Sequence, residues 1–186
     1  MDEVQPFRAD LLQGKTTVIT GGGTGLGRSM ALCLGALGAK VAVLGRRPEP
    51  LTDTALAIRD AGGIAAAVPC DIREPDAVKL ALDRAEKELG PVNQLINNAA
   101  GNFLCPSEDL SPNAFNAVVQ IVLYGTLHCT LEVGRRLIAR KQKGEVLSIV
   151  TSYATTGSAF VLPSAAAKAI SVRWWEPRNP TRSTSS

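Results

Sequence analysis

Thr16-Thr17-Val18-Ile19-Thr20-Gly21-Gly22-Gly23-Thr24-Gly25-Leu26-Gly27 begins as a β-branched run of strand length and passes into a cluster of glycines. The segment that follows, through Leu37, carries apolar residues at three- and four-residue spacing, the period of a helix with one buried face. A strand, a tight turn and a helix N-terminus in that order form a cradle for phosphate. Glycines let the backbone approach a diphosphate closely, and the first turn of the helix offers unpaired N–H groups and the positive end of its dipole. A glycine cluster elsewhere is only a turn; its position between strand and helix makes Thr20, Gly21, Gly23, Thr24, Gly25, Leu26 and Gly27 candidate ligand-binding residues.

Outward from this stretch, short apolar runs alternate with helix-period segments, the signature of stacked βαβ units on a parallel sheet. Strands are expected at 16–20, 40–45, 64–71, 93–100 and 145–152, and helices at 25–37, 49–61, 74–89 and about 112–141. Most strands read as continuously apolar, as strands covered on both faces do. Gly38, Gly62, Gly90 and Gly144 follow the helices as stop signals. The expected fold is α/β: a Rossmann-type doubly wound parallel sheet with helices on both faces, its C-terminal strands missing. The chain divides into an N-terminal arm (1–13), an incomplete dinucleotide-binding domain (14–172) and an irregular polar tail (173–186).

The chain has 186 residues, enough for one sizeable core, and is 45% hydrophobic and 20% charged, within the ordinary globular range. A net charge of +3 suits anionic small ligands and falls well short of the basic stripe a nucleic-acid binder needs. Nucleic acid is therefore not expected as a partner. Cys33, Cys70, Cys105 and Cys129 show no metal-ligand spacing, so they are expected to be reduced, mostly buried thiols, with no metal site. No apolar run approaches membrane-spanning length, no membrane association is expected, and the acidic, proline-interrupted start lacks the features of a targeting signal. A cytoplasmic location is the expectation.

The residues after the second strand, Gly45-Arg46-Arg47, bear on which dinucleotide fits. An acidic residue here binds a free ribose 2′-hydroxyl, whereas two guanidinium groups pair with a 2′-phosphate, which selects NADPH over NADH. The alternative is that both arginines are simply solvated in a βα loop. Asp71, at the end of the third strand, is placed either to accept from the adenine amino group or to cap the next helix.

The glycine loop, Asn97-Asn98-Ala99-Ala100-Gly101 after the fourth strand, and Lys168 together resemble the short-chain dehydrogenase/reductase family over residues 14 to about 169. The resemblance implies that Asn97 and Asn98, with Ala99, lie beside the cofactor and brace the sheet; the alternative is an ordinary strand-end turn. The family's catalytic Tyr, Ser and Asn correspond, counting from Lys168, to Ser164, Thr151 and Tyr124. Only the lysine is unchanged, so the usual phenolic acid is absent from its usual place.

A subfamily with the same departure, the 2,4-dienoyl-CoA reductases, is similar to this chain in Asn97-Asn-Ala-Ala-Gly-Asn-Phe103, Leu110-Ser-Pro-Asn113, Ser152-Tyr-Ala-Thr-Thr-Gly-Ser158 and Val161-Leu-Pro-Ser-Ala-Ala-Ala-Lys168. That resemblance implies NADPH-dependent reduction of a conjugated fatty acyl-CoA thioester in the β-oxidation of unsaturated fatty acids, and a homo-oligomer for an intact family member. It makes Tyr153 the donor to the thioester oxygen, with a structural phenol as the alternative. Lys168 would bind the nicotinamide ribose, and Ser164 would add a hydroxyl at the substrate. Tyr124 in place of the family's Asn weakens the proton relay, since a phenol is a poor isostere of an amide. The other function classes the sequence leaves open are a general short-chain carbonyl reductase and a catalytically silent, truncated dinucleotide-binding fragment. His128 reads as a packed or surface helix residue rather than a base, and Trp174 and Trp175 as residues that pack or dangle.

After Ala169 the sequence departs from the family. Pro177 and Pro180 interrupt a polar run ending in Ser-Thr-Ser-Ser that is unable to build a core. A reading-frame change or premature end is the expected origin, and the sheet edge left without its neighbours is expected to expose apolar surface.

Overall fold

The computed structural model describes residues 7–173. Five strands, β1 (Thr16–Thr20), β2 (Lys40–Gly45), β3 (Ile64–Pro69), β4 (Gln94–Asn97) and β5 (Glu145–Ser148), form one parallel sheet in the order β3-β2-β1-β4-β5. The chain winds outward from β1 to β3, then returns to the far side of β1 with β4. The crevice beyond the C-terminal ends of β1 and β4 is therefore where such a sheet binds ligands.

Helices α1 (Gly25–Ala36) and α2 (Pro48–Asp60) cover one face, and α3 (Pro75–Leu89) with α5 (Thr126–Arg140) covers the other. Strand alternation sorts the core between them. Val18, Ala42, Leu44, Val68 and Leu95 pack with Val78, Leu82, Val133 and Leu137, while Ile19, Val41, Val43 and Ile96 pack with Ala31, Leu51, Ala55 and Ile58. Arg136 of α5, nearly buried, holds α3 through Asp83 at 2.7 Å and Glu86 at 2.9 Å and its own helix through Glu132.

Three of the expected strands are shorter than their apolar runs, because pairing and not hydropathy ends them. β3 stops at Pro69, opposite Gly45 at the end of β2; β4 and β5 stop together at the Asn97–Ser148 pair. Burial on both faces describes β1 to β4 but not β5, where Glu145, Val146 and Leu147 are exposed. Among the described residues β5 has a paired neighbour on one side only, and Val146, Leu147 and Val150 leave apolar surface there, as the sequence predicts.

The helix expected at 112–141 begins at Pro112, with Ser111 accepting from the Ala114 N–H as its cap. It is not uniform: α4 (Pro112–Val119) widens into a π-helical segment, Gln120–Gly125, before α5. Its stop is Lys141, left-handed at φ 54°, rather than Gly144. The whole element, 29 residues from Pro112 to Arg140, is long and apolar enough to cross a bilayer, which corrects the expectation that no run approaches that length. Its buried stripe of Val118, Val122, Cys129, Val133 and Leu137 faces protein, and Arg136 is tied to α3, the behaviour of a helix packed against a core. Two short helices, α6 (Tyr153–Thr156) and α7 (Leu162–Arg173), were not expected; the Ala-rich run Ala165-Ala166-Ala167 favours helix but shows little amphipathic period. Of the cysteines, Cys70 and Cys129 are buried, Cys105 is half-buried, and Cys33 is exposed, against the expectation of mostly buried thiols. The tail from Trp174 onward and residues 1–6 of the arm lie outside the described residues.

Candidate functional site: a dinucleotide cleft at the switch in strand order

A cleft of about 580 Å³ opens over the C-terminal ends of β1 to β4. Gly21, Gly23, Thr24, Leu26 and Gly27 form its floor, Arg46 and Arg47 one rim, Asp71 the next, and Asn98 and Ala99 the far wall. Ten residues proposed from sequence for cofactor binding thus meet in one place. Thr20 stands just behind them: its buried hydroxyl accepts from the Asn98 and Ala99 N–H groups, both at 3.0 Å. Asn98 returns its side-chain amide to the carbonyls of Thr20 at 3.0 Å and Gly21 at 3.3 Å. These bonds stitch the ends of β1 and β4 together at the point where the strand order reverses, so Asn98 is more than a strand-end turn.

The loop has no slack at Gly27. A Cβ there would stand 2.2 Å from the Gly21 carbonyl oxygen and 2.6 Å from Asn98 Nδ2. Gly25, by contrast, has φ +51° with nothing within 4 Å of a Cβ, so its backbone requires glycine while the space beside it stays open. The start of α1 carries no acidic residue, and Thr24 makes no side-chain cap. Its first N–H groups are therefore available to a diphosphate. Among the described residues neither Arg46 nor Arg47 pairs with a carboxylate, and both are exposed. Open cradle, uncapped helix start and two unpaired cations fit a dinucleotide.

Asp71 does not cap α3. Its carboxylate instead accepts from Arg73, through Nε to Oδ1 at 2.9 Å and to Oδ2 at 3.0 Å, through Nη2, and from the Arg73 N–H at 3.1 Å. These bonds, chiefly the guanidinium's, hold its pKa below the usual carboxylate range. Cys70 beside it is buried, and burial followed by the Asp71 charge pushes its thiol up to about 11.

The candidate catalytic residues gather less completely. Lys168 is 9% exposed and donates through Nζ to the Ile149 carbonyl at 2.7 Å; burial pulls its pKa down, and the neighbouring Tyr153 opposes that shift. Lys168 lines a small separate cavity with Asn97, Ser148 and Ile149. Tyr153, half-buried, opens α6, and Thr151 precedes it with its carbonyl accepting from Ala154. Ser164 is buried at 2% exposure. Tyr153, Thr151, Ser164 and Tyr124 line neither the cleft nor the small cavity. Tyr124 sits in the π-helical segment, 43% exposed, its ring 6.3 Å from that of His128. His128 engages the Ile72 carbonyl through Nδ1 at 3.0 Å, a packing contact rather than a base poised for chemistry.

Residues that the sequence did not single out also shape the cleft. Pro50 and Leu51 reach it from the first turn of α2, just after Arg47, and Ile121 from the π-helical segment far along the chain, which no local pattern marks. Arg73 had a local signal: a basic residue two positions after an aspartate at a strand end suits a turn closed by the carboxylate.

The family model for short chain dehydrogenases matches residues 15–175. The chain belongs to the short-chain dehydrogenase family. An uncharacterized oxidoreductase of Caenorhabditis elegans is 49% identical over 160 residues, 85% of this chain and 51% of that protein. A second Caenorhabditis elegans protein, named as a probable 2,4-dienoyl-CoA reductase, is 43% identical over 165 residues, 88% of this chain and 53% of that one. Among solved structures, a citronellol catabolism dehydrogenase of Pseudomonas aeruginosa superposes with a TM-score of 0.82 at 34% identity, covering 88% of this chain and 66% of that one. The chain therefore spans about half the length of these two curated relatives.

Proposed function

We propose that the chain belongs to an NADPH-dependent reductase that acts on a 2,4-dienoyl-CoA or similar unsaturated fatty acyl thioester. The observation that carries the cofactor half of this reading is the pair of unpaired guanidinium groups, Arg46 and Arg47, on the rim of a cleft floored by the glycine loop. A 2′-phosphate gives them charge-assisted hydrogen bonds that a 2′-hydroxyl does not. The substrate half rests on the Tyr153 to Lys168 spacing and on the relatives named as dienoyl-CoA reductases.

NADPH, when bound, supplies the hydride. Tyr153 hydrogen-bonds the thioester oxygen, where negative charge develops, because a phenol O–H is a hydrogen-bond donor. Lys168, held by the Ile149 carbonyl, positions the nicotinamide ribose and keeps a positive charge beside Tyr153, which favours proton donation. Asp71 accepts from the adenine amino group with lone pairs that Arg73 leaves free. Ser164, buried in α7 and lining neither cavity, packs behind the site, and Thr151 positions the start of α6.

A second reading, a protein that binds the dinucleotide without reducing a substrate, is favoured by Tyr124. It stands where the family has Asn, and its exposed ring faces His128 and not the cleft. NADPH oxidation with a 2,4-dienoyl-CoA separates the two. Measurable turnover that Tyr153→Phe lowers by about 100-fold or more, with NADPH affinity retained, supports the reductase. NADPH binding with no turnover, and none gained by Tyr124→Asn, establishes the silent protein.

A further inference from the structure

The rim of the cleft holds an acid, Asp71, beside the two arginines proposed to take the 2′-phosphate. Arg46 follows β2 and Asp71 follows β3, and the last paired residues of those two strands, Gly45 and Pro69, lie opposite each other. Arg46 is close enough for its charge to act on Asp71. A bare carboxylate at this point would do two things to a 2′-phosphate: repel it directly, and draw Arg46 out of reach.

In the fold the carboxylate is not bare, and Arg46 makes no ion pair with it. Both Asp71 oxygens accept from the Arg73 guanidinium fork, and Oδ1 also accepts the Arg73 N–H. Arg73 does not line the cleft; its side chain is 40% exposed and that of Asp71 27%. An arginine suits this task because its planar fork occupies two oxygens at once, which an ammonium does not. We infer that Arg73 is a positioning residue that sets dinucleotide preference: by clamping Asp71 it leaves Arg46 and Arg47 free for the 2′-phosphate, and so favours NADPH over NADH without touching either.

This inference rests on the NADPH reading of the cleft, and one experiment separates the two. Dissociation constants for NADPH and NADH are measured on the full chain by the fluorescence of the reduced nicotinamide, and the ratio Kd(NADH)/Kd(NADPH) is the readout. Arg73→Ala is expected to lower the ratio about tenfold, mainly through NADPH, since one uncompensated charge near a phosphate is of that order. Arg73→Lys is expected to keep part of the preference. Asp71→Asn/Arg73→Ala removes the acid along with its clamp and is expected to return the ratio to within about threefold of the original. Asp71→Asn alone, which keeps an acceptor oxygen for the adenine amino group that both cofactors share, should leave the ratio equal or higher whatever it does to the two affinities together. A clamp that merely braced the turn would weaken both cofactors alike and would not be rescued by the double variant; that result overturns the inference. If Arg46→Ala/Arg47→Ala lowers the ratio while Arg73→Ala does not, the clamp fails and the NADPH reading stands. If the unmodified chain shows no preference, or binds neither cofactor, both fall together.

Discussion

Gly27→Ala is the substitution that most directly probes the cradle. The added Cβ would sit 2.2 Å from the Gly21 carbonyl oxygen and 2.9 Å from its carbon, both backbone, and 2.6 Å from Asn98 Nδ2. No rotamer relieves a clash with backbone, so either α1 moves off the sheet or Gly21 shifts. Overpacking of this kind costs about 1 to 3 kcal/mol. The shift also breaks the Asn98 to Gly21 hydrogen bond at 3.3 Å, adding about 1 kcal/mol. The sum, about 2 to 4 kcal/mol, corresponds to a fall in Tm of roughly 4 to 16 °C in a domain of this size. Gly25→Ala is the control. Nothing stands within 4 Å of its Cβ, so only the left-handed backbone is penalised, at about 1 to 2 kcal/mol. Thermal unfolding followed by circular dichroism, with dinucleotide affinity measured on the same samples, gives both quantities. Gly27→Ala should lose more stability than Gly25→Ala and should lose measurable dinucleotide binding. Equal stabilities for the two variants would refute the close-packed description of the loop.

Two further outcomes follow from burial and charge. Burial raises the pKa of Glu86, but hydrogen bonds from Arg140, the Val92 N–H and Arg136 outweigh it and hold the carboxyl below its ordinary value. A depressed carboxylate contributes stability that is complete above its unfolded pKa of about 4.3 and is lost as pH falls through the lower folded value. Glu86→Gln should therefore lower Tm at pH 7 and flatten the acid limb below about pH 4.3; an unchanged acid limb in a plot of Tm against pH would count against the network. Cys33 is exposed, whereas the Cys70 thiol is held up to about 11 and burial also raises that of Cys129. A disulfide exchange reagent at pH 7.5 should thus modify Cys33 and spare both buried thiols, because the thiolate is the reactive form. Mass spectrometric mapping reads this directly, and early modification of Cys70 would contradict its placement.

The local elements were legible because each is written in a local signal. The β-branched run before Gly21 gave β1, the three- and four-residue apolar spacing gave α1 to α3, and Gly38, Gly62 and Gly90, all at positive φ, ended those helices. The phosphate cradle was legible for the same reason: it lies within one strand, turn and helix, and its glycines answer to contacts made inside that unit or just across it. Where the determining contact is distant, the sequence is silent. Apolar runs extended past Pro69, Asn97 and Ser148, but a strand ends where its neighbour stops offering hydrogen bonds, and only the assembled sheet sets that register. The exposure of β5 depends on what lies beside it, not on its own apolar residues. The clamp of Arg73 on Asp71, the seat of Lys168 under the Ile149 carbonyl, and the turning of Tyr124 toward His128 instead of the cleft are likewise decisions of packing. Residue type told which side chains are capable of chemistry; the order of strands and the π-helical widening at Gln120–Gly125 decided which of them meet.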